Sequence, residues 1–404
     1  MGSEWINAKL GNICNINMGQ SPKSETYNEN GEGLPFYQGR TDFGDRKPKV
    51  TKYCSRPIKI AEKGEVLLSV RAPVGDVNIA NSKCCIGRGI AALSLIKGDN
   101  RFLYYLLKVN KTRWDNYSSG TVFPAISKDD IKNFEVYIPS DLIEQQKIAS
   151  ILSAFDDKIE INNEMNKTLE EIAQAIFKHW FIDFEFPNEN GEPYKSSGGE
   201  FVDSELGPIP KGWEVKKLGE IGQFKNGINY GREESGDSEY KIVNVRDLVT
   251  TDYIIPSRLD TINIDKRKAN QYLLKEGDLL IVRSANPGEI GINMNGDSNL
   301  IYSSFIIRFR LYDKLQLFYL YFSLKNIKQK LEIYSNGTTL KNINQQILKE
   351  VKVMIPTKNI LQKFNVIISP IIEKIIASNE QNEKLAKIRD TLLPKLISGE
   401  IRVM

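Results

Sequence analysis

The sequence predicts a mixed α/β (α+β) chain written twice, with two similar globular domains and a pair of long antiparallel coiled-coil helices between them, related by a pseudo-twofold internal repeat. Three observations carry that expectation. Trp5, Leu10, Gly11, Ile13 and Gly19 return as Trp213, Leu218, Gly219, Ile221 and Gly227, at a constant offset of 208 residues. Each copy then passes from short β-like runs into one long stretch whose apolar residues step by four and three. Finally, 404 residues suffice for two domains that each bury a core. A period near 200 is far longer than the roughly 20 to 50 residues of solenoid repeats, so each copy is a whole domain plus a helix.

The first domain is expected over residues 1–140 and the second over 212–357. Each is a mixture of short strands, such as 66–70 and 279–282, with helical patterning at 102–111 and 315–333. The parallel runs through both domains. Residues 64–71 (GEVLLSVR) match 277–283 (GDLLIVR), Gly120-Thr121 matches Gly337-Thr338, and Ile138-Pro139 matches Ile355-Pro356.

Each Ile-Pro ends a strand and opens a long helix. The first occupies 141–186, with Asp141 as its N-cap. Ile148, Leu152, Phe155, Ile159, Asn162, Asn166, Leu169, Ala173, Ile176 and Trp180 form its seam. Moving 216 residues along gives Phe364, Ile368, Ile371, Ile375, Ser378, Asn382, Leu385, Arg389, Leu392 and Leu396 in the second helix, 358–404. Arg389 is the misfit, and Ile388 beside it is expected to supply the apolar contact. Pro370 and Pro394 predict a kink or an early end. Residues 187–211, rich in Pro, Gly, Ser and acids, read as a linker. Asn166 and Asn382 at equivalent seam positions either fix register or mark a wetter stretch. A helix of about 36 residues spans roughly 54 Å, so the pair can act as a ruler.

Charge is unevenly distributed. Lys plus Arg exceeds Asp plus Glu by 20 to 14 over residues 1–140 and by 21 to 17 over 212–357, whereas 141–187 has 4 basic and 10 acidic residues. Positive charge on both domains and not on the helix between them suits a polyanionic partner, against the alternative of ordinary surface variation. The stretch beginning MGSEW lacks a basic region leading into an apolar run, and no run of about 18 apolar residues occurs. Neither a signal peptide nor a membrane span is expected, and a cytoplasmic location is. Cys14, Cys54, Cys84 and Cys85 lack paired metal or disulfide spacing and read as reduced packing residues.

The WxxxxLGxI openings, the segment IPSDLIEQQKIASIL, the string AIFKHWFIDFEFP, the restart ELGPIPKGWEVKKLGEIG and the ending RDTLLPKLISGEIRV occur in this order. Together with the duplication, over essentially the full length, they resemble the specificity (S) subunit of Type I restriction-modification systems. The resemblance implies two target-recognition domains, each reading half of a bipartite, asymmetric site in double-stranded DNA. It also implies two methyltransferase (M) subunits that use S-adenosylmethionine to methylate adenine N6, ATP-dependent restriction (R) subunits, and no catalytic residues or cofactor in this chain. The S-adenosylmethionine, ATP and magnesium would sit on the partner subunits. On family grounds Phe181, Ile182, Phe184 and Phe186 help dock the methyltransferase, unless they are buried against the neighbouring domain.

The residues agree with a non-enzymatic reading. The nearest approach to an Asn/Asp-Pro-Pro-aromatic amine-gripping motif is Asn286-Pro287-Gly288, which lacks the second proline and the aromatic, and no GxxxxGK[ST] loop occurs. A lone histidine, His179, is too few for a two-His zinc site. The competing reading is a coiled-coil scaffold or dimerisation protein whose globular ends bind proteins.

If the domains read DNA, Arg, Lys, Asn and Gln are needed at groove edges and phosphates. Arg71 and Arg283 end matching β-runs, and Arg40 and Arg246 follow the matching segments FYQGR and IVNVR. Thr121, Asn336 and Thr338 lie in matching polar loops suited to phosphate. Matched residues are better candidates for phosphate contact or structural pairing, and unmatched ones for base readout. The unmatched set is Gln38, Arg46, Lys47, Lys49, Lys52 and Arg88 in the first domain, with Asn229, Arg232, Lys266, Arg267, Lys268 and Lys341 in the second. Each is alternatively a solvated surface group.

Overall fold

The computed structural model describes residues 4–116, 125–231, 236–284, 287–296, 299–325 and 342–403. They form two compact units, one of residues 1–160 with 384–404 and the other of residues 161–383. Each unit therefore holds one mixed domain together with part of both long helices.

In the first unit a four-stranded antiparallel sheet has the order Cys14–Met18, Ile90–Leu95, Val66–Ser69, Val77–Ile79. In the second, Gly222–Asn226, Ile306–Leu311, Asp278–Val282 and Ile290–Asn293 take the same places in the same order. The apolar runs that predicted these strands explain their burial, since Val66, Leu67, Leu68, Leu279, Leu280 and Ile281 are all fully buried. A second sheet, of five short strands in the first unit and three in the second, has one parallel pair in common. Leu34–Tyr37 runs parallel to Cys84–Ile86, and Ser238–Val243 runs parallel to Leu300–Tyr302. The repeated glycines hold sheet and turn together. A Cβ on Gly19 would fall 2.2 Å from the Gly87 carbonyl oxygen, and one on Gly227 would fall 2.1 Å from that of Ser303.

The first long helix, Leu142–Phe177, starts where Asp141 accepts a hydrogen bond from the Ile143 amide at 2.9 Å. It continues into a π-helical turn, Lys178–Ile182, where His179 is exposed. The second helix, Lys358–Ile397, does not end at either proline. Both prolines are exposed, as are Val366 and Asp390 four residues earlier, so water can take the carbonyls that proline leaves unbonded.

Within each unit the two helices run antiparallel. In the first unit, Glu144 pairs with Arg402 at 2.7 Å and Asp156 pairs with Arg389, while Ile148 and Leu152 share a core with Leu393, Leu396 and Ile397. In the second, Asn162 donates to Asn382 at 2.7 Å and Asn166 to Asn379 at 3.1 Å, with Leu169 against the core that holds Phe364, Ile368 and Ile375. Phe155, Ile159, Ile371 and Leu385 are half-buried.

Two expectations are corrected. Ile388 does not fill the seam; it is 47% exposed. Arg389 itself enters, because the buried Asp156 carboxylate, which also accepts the Tyr105 hydroxyl at 2.6 Å, neutralises it. Burial disfavours the guanidinium's charge, but hydrogen bonds to Asp390 and Asp156 outweigh this and raise its pKa. The segment after the first helix is an ordered part of the second unit. Phe186 stacks on Tyr194 at 4.5 Å and on Trp213 at 5.3 Å, and Phe201–Val202 pairs with Ile209–Pro210. Phe181 and Phe186 are consequently buried in their own unit, leaving Ile182 exposed.

Candidate nucleic-acid interface

In the first unit three turns converge on one cleft. They follow the Leu34–Tyr37 and Val66–Ser69 strands and precede Ile90–Leu95. The cleft has a volume of about 580 Å³, and its wall includes Gln38, Arg40, Lys52, Arg71, Arg88 and Asp42. Asp42 is already engaged, accepting the Gln38 amide at 2.6 Å and the Gly39 amide at 3.2 Å. Arg71, Arg88 and Lys52 are exposed and have no ion pair among the described residues. The cleft therefore presents several cations against one carboxylate that is committed to holding its own turn.

Arg40 differs from its neighbours. Its Nε donates to Asp76 at 2.7 Å, and Lys111 reaches the other Asp76 oxygen at 2.6 Å. Burial pushes the Asp76 carboxyl up, but hydrogen bonds from Lys111 and Arg40 more than reverse this and hold it below the usual carboxylate range. Arg40 is thus fixed in direction at the cleft wall by a carboxylate that it shares with Lys111, an arrangement suited to phosphate or to a positioning role.

The remaining first-domain candidates separate. Lys49 is exposed, whereas Lys47 is paired with Glu160 of the first helix at 2.5 Å. Arg46, read from sequence as a possible base contact, is a correction: its side chain is 15% exposed and pairs with Asp157, tying the domain to the helix. Thr121 lies outside the described residues, as do Arg232, Asn336, Thr338 and Lys341.

Pairing register aligns the second domain residue by residue. The Gly87 amide donates to the Tyr37 carbonyl and the Ser303 amide to that of Val243, so Gln38 corresponds to Asn244 and Arg40 to Arg246. Arg246 is exposed and pairs with Asp260, raising its pKa. The equivalence of Arg71 and Arg283 is corrected. Ser69 pairs with Ile90 as Val282 pairs with Ile306, which makes Val70 the counterpart of Arg283 and Ser284 that of Arg71. The hydrogen bonds agree, since Ile126 donates to the Val70 carbonyl and Ile343 to that of Arg283. A shift of one residue reverses the side chain's direction, and Arg283 is half-buried where Arg71 is exposed. By the same register Arg88 and Gly89 correspond to Ser304 and Phe305. Phe305 is 55% exposed, a large aromatic that the sequence reading missed. Lys266 and Arg267 are exposed on the short helix Lys266–Ala269.

The comparison with known proteins fits this duplicated arrangement. A family model described as the Type I restriction modification DNA specificity domain matches the chain twice, over residues 2–171 and 210–388. The chain belongs to that family. It is 32% identical over 431 residues to the Type I restriction enzyme MjaIX specificity subunit of Methanocaldococcus jannaschii, covering 99% of this chain and 94% of that protein. It is 26% identical over 360 residues to the HindI specificity subunit of Haemophilus influenzae, covering 74% and 77%. The crystal structure of the Type I restriction-modification S subunit from M. genitalium superposes with a TM-score of 0.65 at 18% identity, covering 98% and 96% of the two chains, a likeness of fold. Each DNA specificity domain of this chain thus contains one set of the three turns, with different side chains at equivalent places.

Among the described residues no group of three or more His, Cys, Asp or Glu is placed to hold a metal ion, and no helix is long and apolar enough to cross a membrane. The four cysteines are free and buried, and burial pushes the Cys14, Cys84 and Cys85 thiols up to about 12.

Proposed function

We propose that this chain is the sequence-reading subunit of a Type I restriction-modification complex, itself without catalysis, and that each of its domains reads one half of a bipartite, asymmetric site in double-stranded DNA. The observation that carries this reading is the pair of equivalent turn sets, one cationic with an exposed amide (Gln38, Arg71, Arg88), the other altered at the same places (Asn244, Ser284, Ser304, Phe305). Similar scaffolds with different contact residues suit two half-sites of different sequence. In this assignment Arg71 and Arg88 offer paired donors to a guanine edge, while Arg40, Lys49, Arg246, Lys266 and Arg267 neutralise phosphates.

Two methyltransferase subunits and the restriction subunits complete the assembly. Adenine-N6 transfer from S-adenosylmethionine and ATP hydrolysis with magnesium belong to those partners. Mapping N6-methyladenine across the genome with and without this protein tests the reading. Methylation is expected to disappear at one bipartite motif; an unchanged methylome while the methyltransferase is expressed refutes it.

A further inference from the structure

The second domain contains a cationic cluster away from the turn set, for which the proposed reading gives no role. Along the strand Ile306–Leu311, side chains alternate. Ile307, Phe309 and Leu311 enter the large core, while Ile306 enters the core shared with Val243, Leu280 and Tyr302. Arg308 and Arg310 share the face of Ile306. Arg308 is paired across the sheet with Lys225 on one side and Leu280 on the other. Like charges directly opposite in a sheet are destabilising.

The neighbouring charges do not resolve this conflict. Asp278, 1% exposed, is the carboxylate of the cluster, and both its oxygens are held by Arg310 at 2.6 Å. Lys225 Nζ donates to the Gln271 carbonyl at 2.7 Å and lies 4.8 Å from the Tyr272 ring centre. Arg308 is only 6% exposed, has no hydrogen bond or ion pair among the described residues, and its Nε is enclosed without a partner. Burying an unpaired guanidinium is costly, so a counter-anion is the expected companion. At the equivalent strand positions the first domain carries no cation: Asn17, Ala92 and Ser94 stand where Lys225, Arg308 and Arg310 do, and Asn17 is satisfied by the Ile60 carbonyl at 2.8 Å.

We infer that Arg308 and Lys225, with Arg310 oriented by Asp278, form an anion site in the second domain that takes a phosphate-class oxyanion. Half-exposed Lys225 and Arg310 form its mouth and Arg308 its floor. A phosphate oxygen can accept from the guanidinium and the ammonium together, which removes the like-charge conflict. The source of the phosphate is either a DNA backbone or the free ion.

The test uses the full-length chain melted in chloride buffer and in inorganic phosphate at equal ionic strength. Wild type is expected to melt about 2–4 °C higher at phosphate near five times its Kd. Arg308→Met is expected to lose that increment while melting no lower than wild type in chloride. Lys225→Asn, which installs the first domain's residue, reports the same loss should the first variant fail to fold. No phosphate-specific rise in wild type, or a rise retained in the variants, overturns the proposal, since the latter is a general salt effect. Binding to duplex DNA then distinguishes the sources. A salt dependence reduced by about one unit of slope in Arg308→Met assigns the site to a backbone phosphate, and an unchanged slope with lost phosphate response assigns it to the free ion. The melting arms do not depend on DNA reading, so their failure is separate from failure of the methylation map.

Discussion

Among the arginines of the first domain's cleft, Arg71 and Arg88 are exposed without a carboxylate partner among the described residues, as is Lys52 beside them. Arg40 is held by Asp76, Arg46 by Asp157 and Lys47 by Glu160. Charge already neutralised by the protein releases fewer counterions on binding, so the unpaired pair should contribute more to affinity. Arg71→Ala and Arg88→Ala are each expected to weaken binding to the cognate duplex by about 1–3 kcal/mol if they read bases. Titrating labelled cognate and unrelated duplexes at fixed salt separates the cases. A loss confined to the cognate duplex marks base readout and an equal loss on both marks phosphate contact, whereas no loss on either refutes a role in DNA contact. Arg46→Ala should act differently, lowering the melting temperature through the lost Asp157 pair, because it anchors the domain to the helix.

The long helices were the most legible elements in the sequence because burial at steps of four and three leaves a periodic trace. Ile148, Leu152, Phe364, Ile368 and Ile375 are fully or almost fully buried. What the sequence hid depended on partners far away in the chain. Arg389 fits its seam through Asp156 of the other helix, and Phe186 is ordered by Trp213. The Arg71 and Arg283 match failed because one domain has an additional residue before its arginine, and only strand pairing reveals which residues correspond. The turn cluster was legible as candidate cations but not as a cleft, since its members come from three separate turns. The asparagine layer offers a test at this scale. Asn162 and Asn382 are 1% and 4% exposed, and the Oδ1 of Asn162 is enclosed without a partner. An unsatisfied buried oxygen costs about 1–3 kcal/mol. Replacing both by leucine should therefore raise the melting temperature. Asn162→Leu alone should gain less, because it strands the Asn382 oxygen that Asn162 now satisfies. If the double variant melts lower than wild type, the layer is a source of stability and its role in setting register at a cost is refuted.

For the whole molecule, duplication followed by divergence at equivalent turns predicts that the two halves of the target are separable. Each unit has its own sheets and its own hydrophobic core, Leu68 and Phe102 belonging to one and Phe309 and Phe364 to the other. A change within one domain's turns should therefore leave the other's contact residues in place. Exchanging residues 1–140 for the matching domain of a relative with a different target, while keeping 141–404, is expected to change one half-site of the methylated motif and preserve the other. The spacer should be preserved too, because both long helices remain intact at 36 and 40 residues. Sequencing N6-methyladenine in cells that carry the exchanged chain reads all three properties at once. A new first half with an unchanged second half confirms modular reading. Loss of both halves despite a folded protein that still binds its methyltransferase would show that the domains read DNA jointly, and the one-domain, one-half-site assignment would fail.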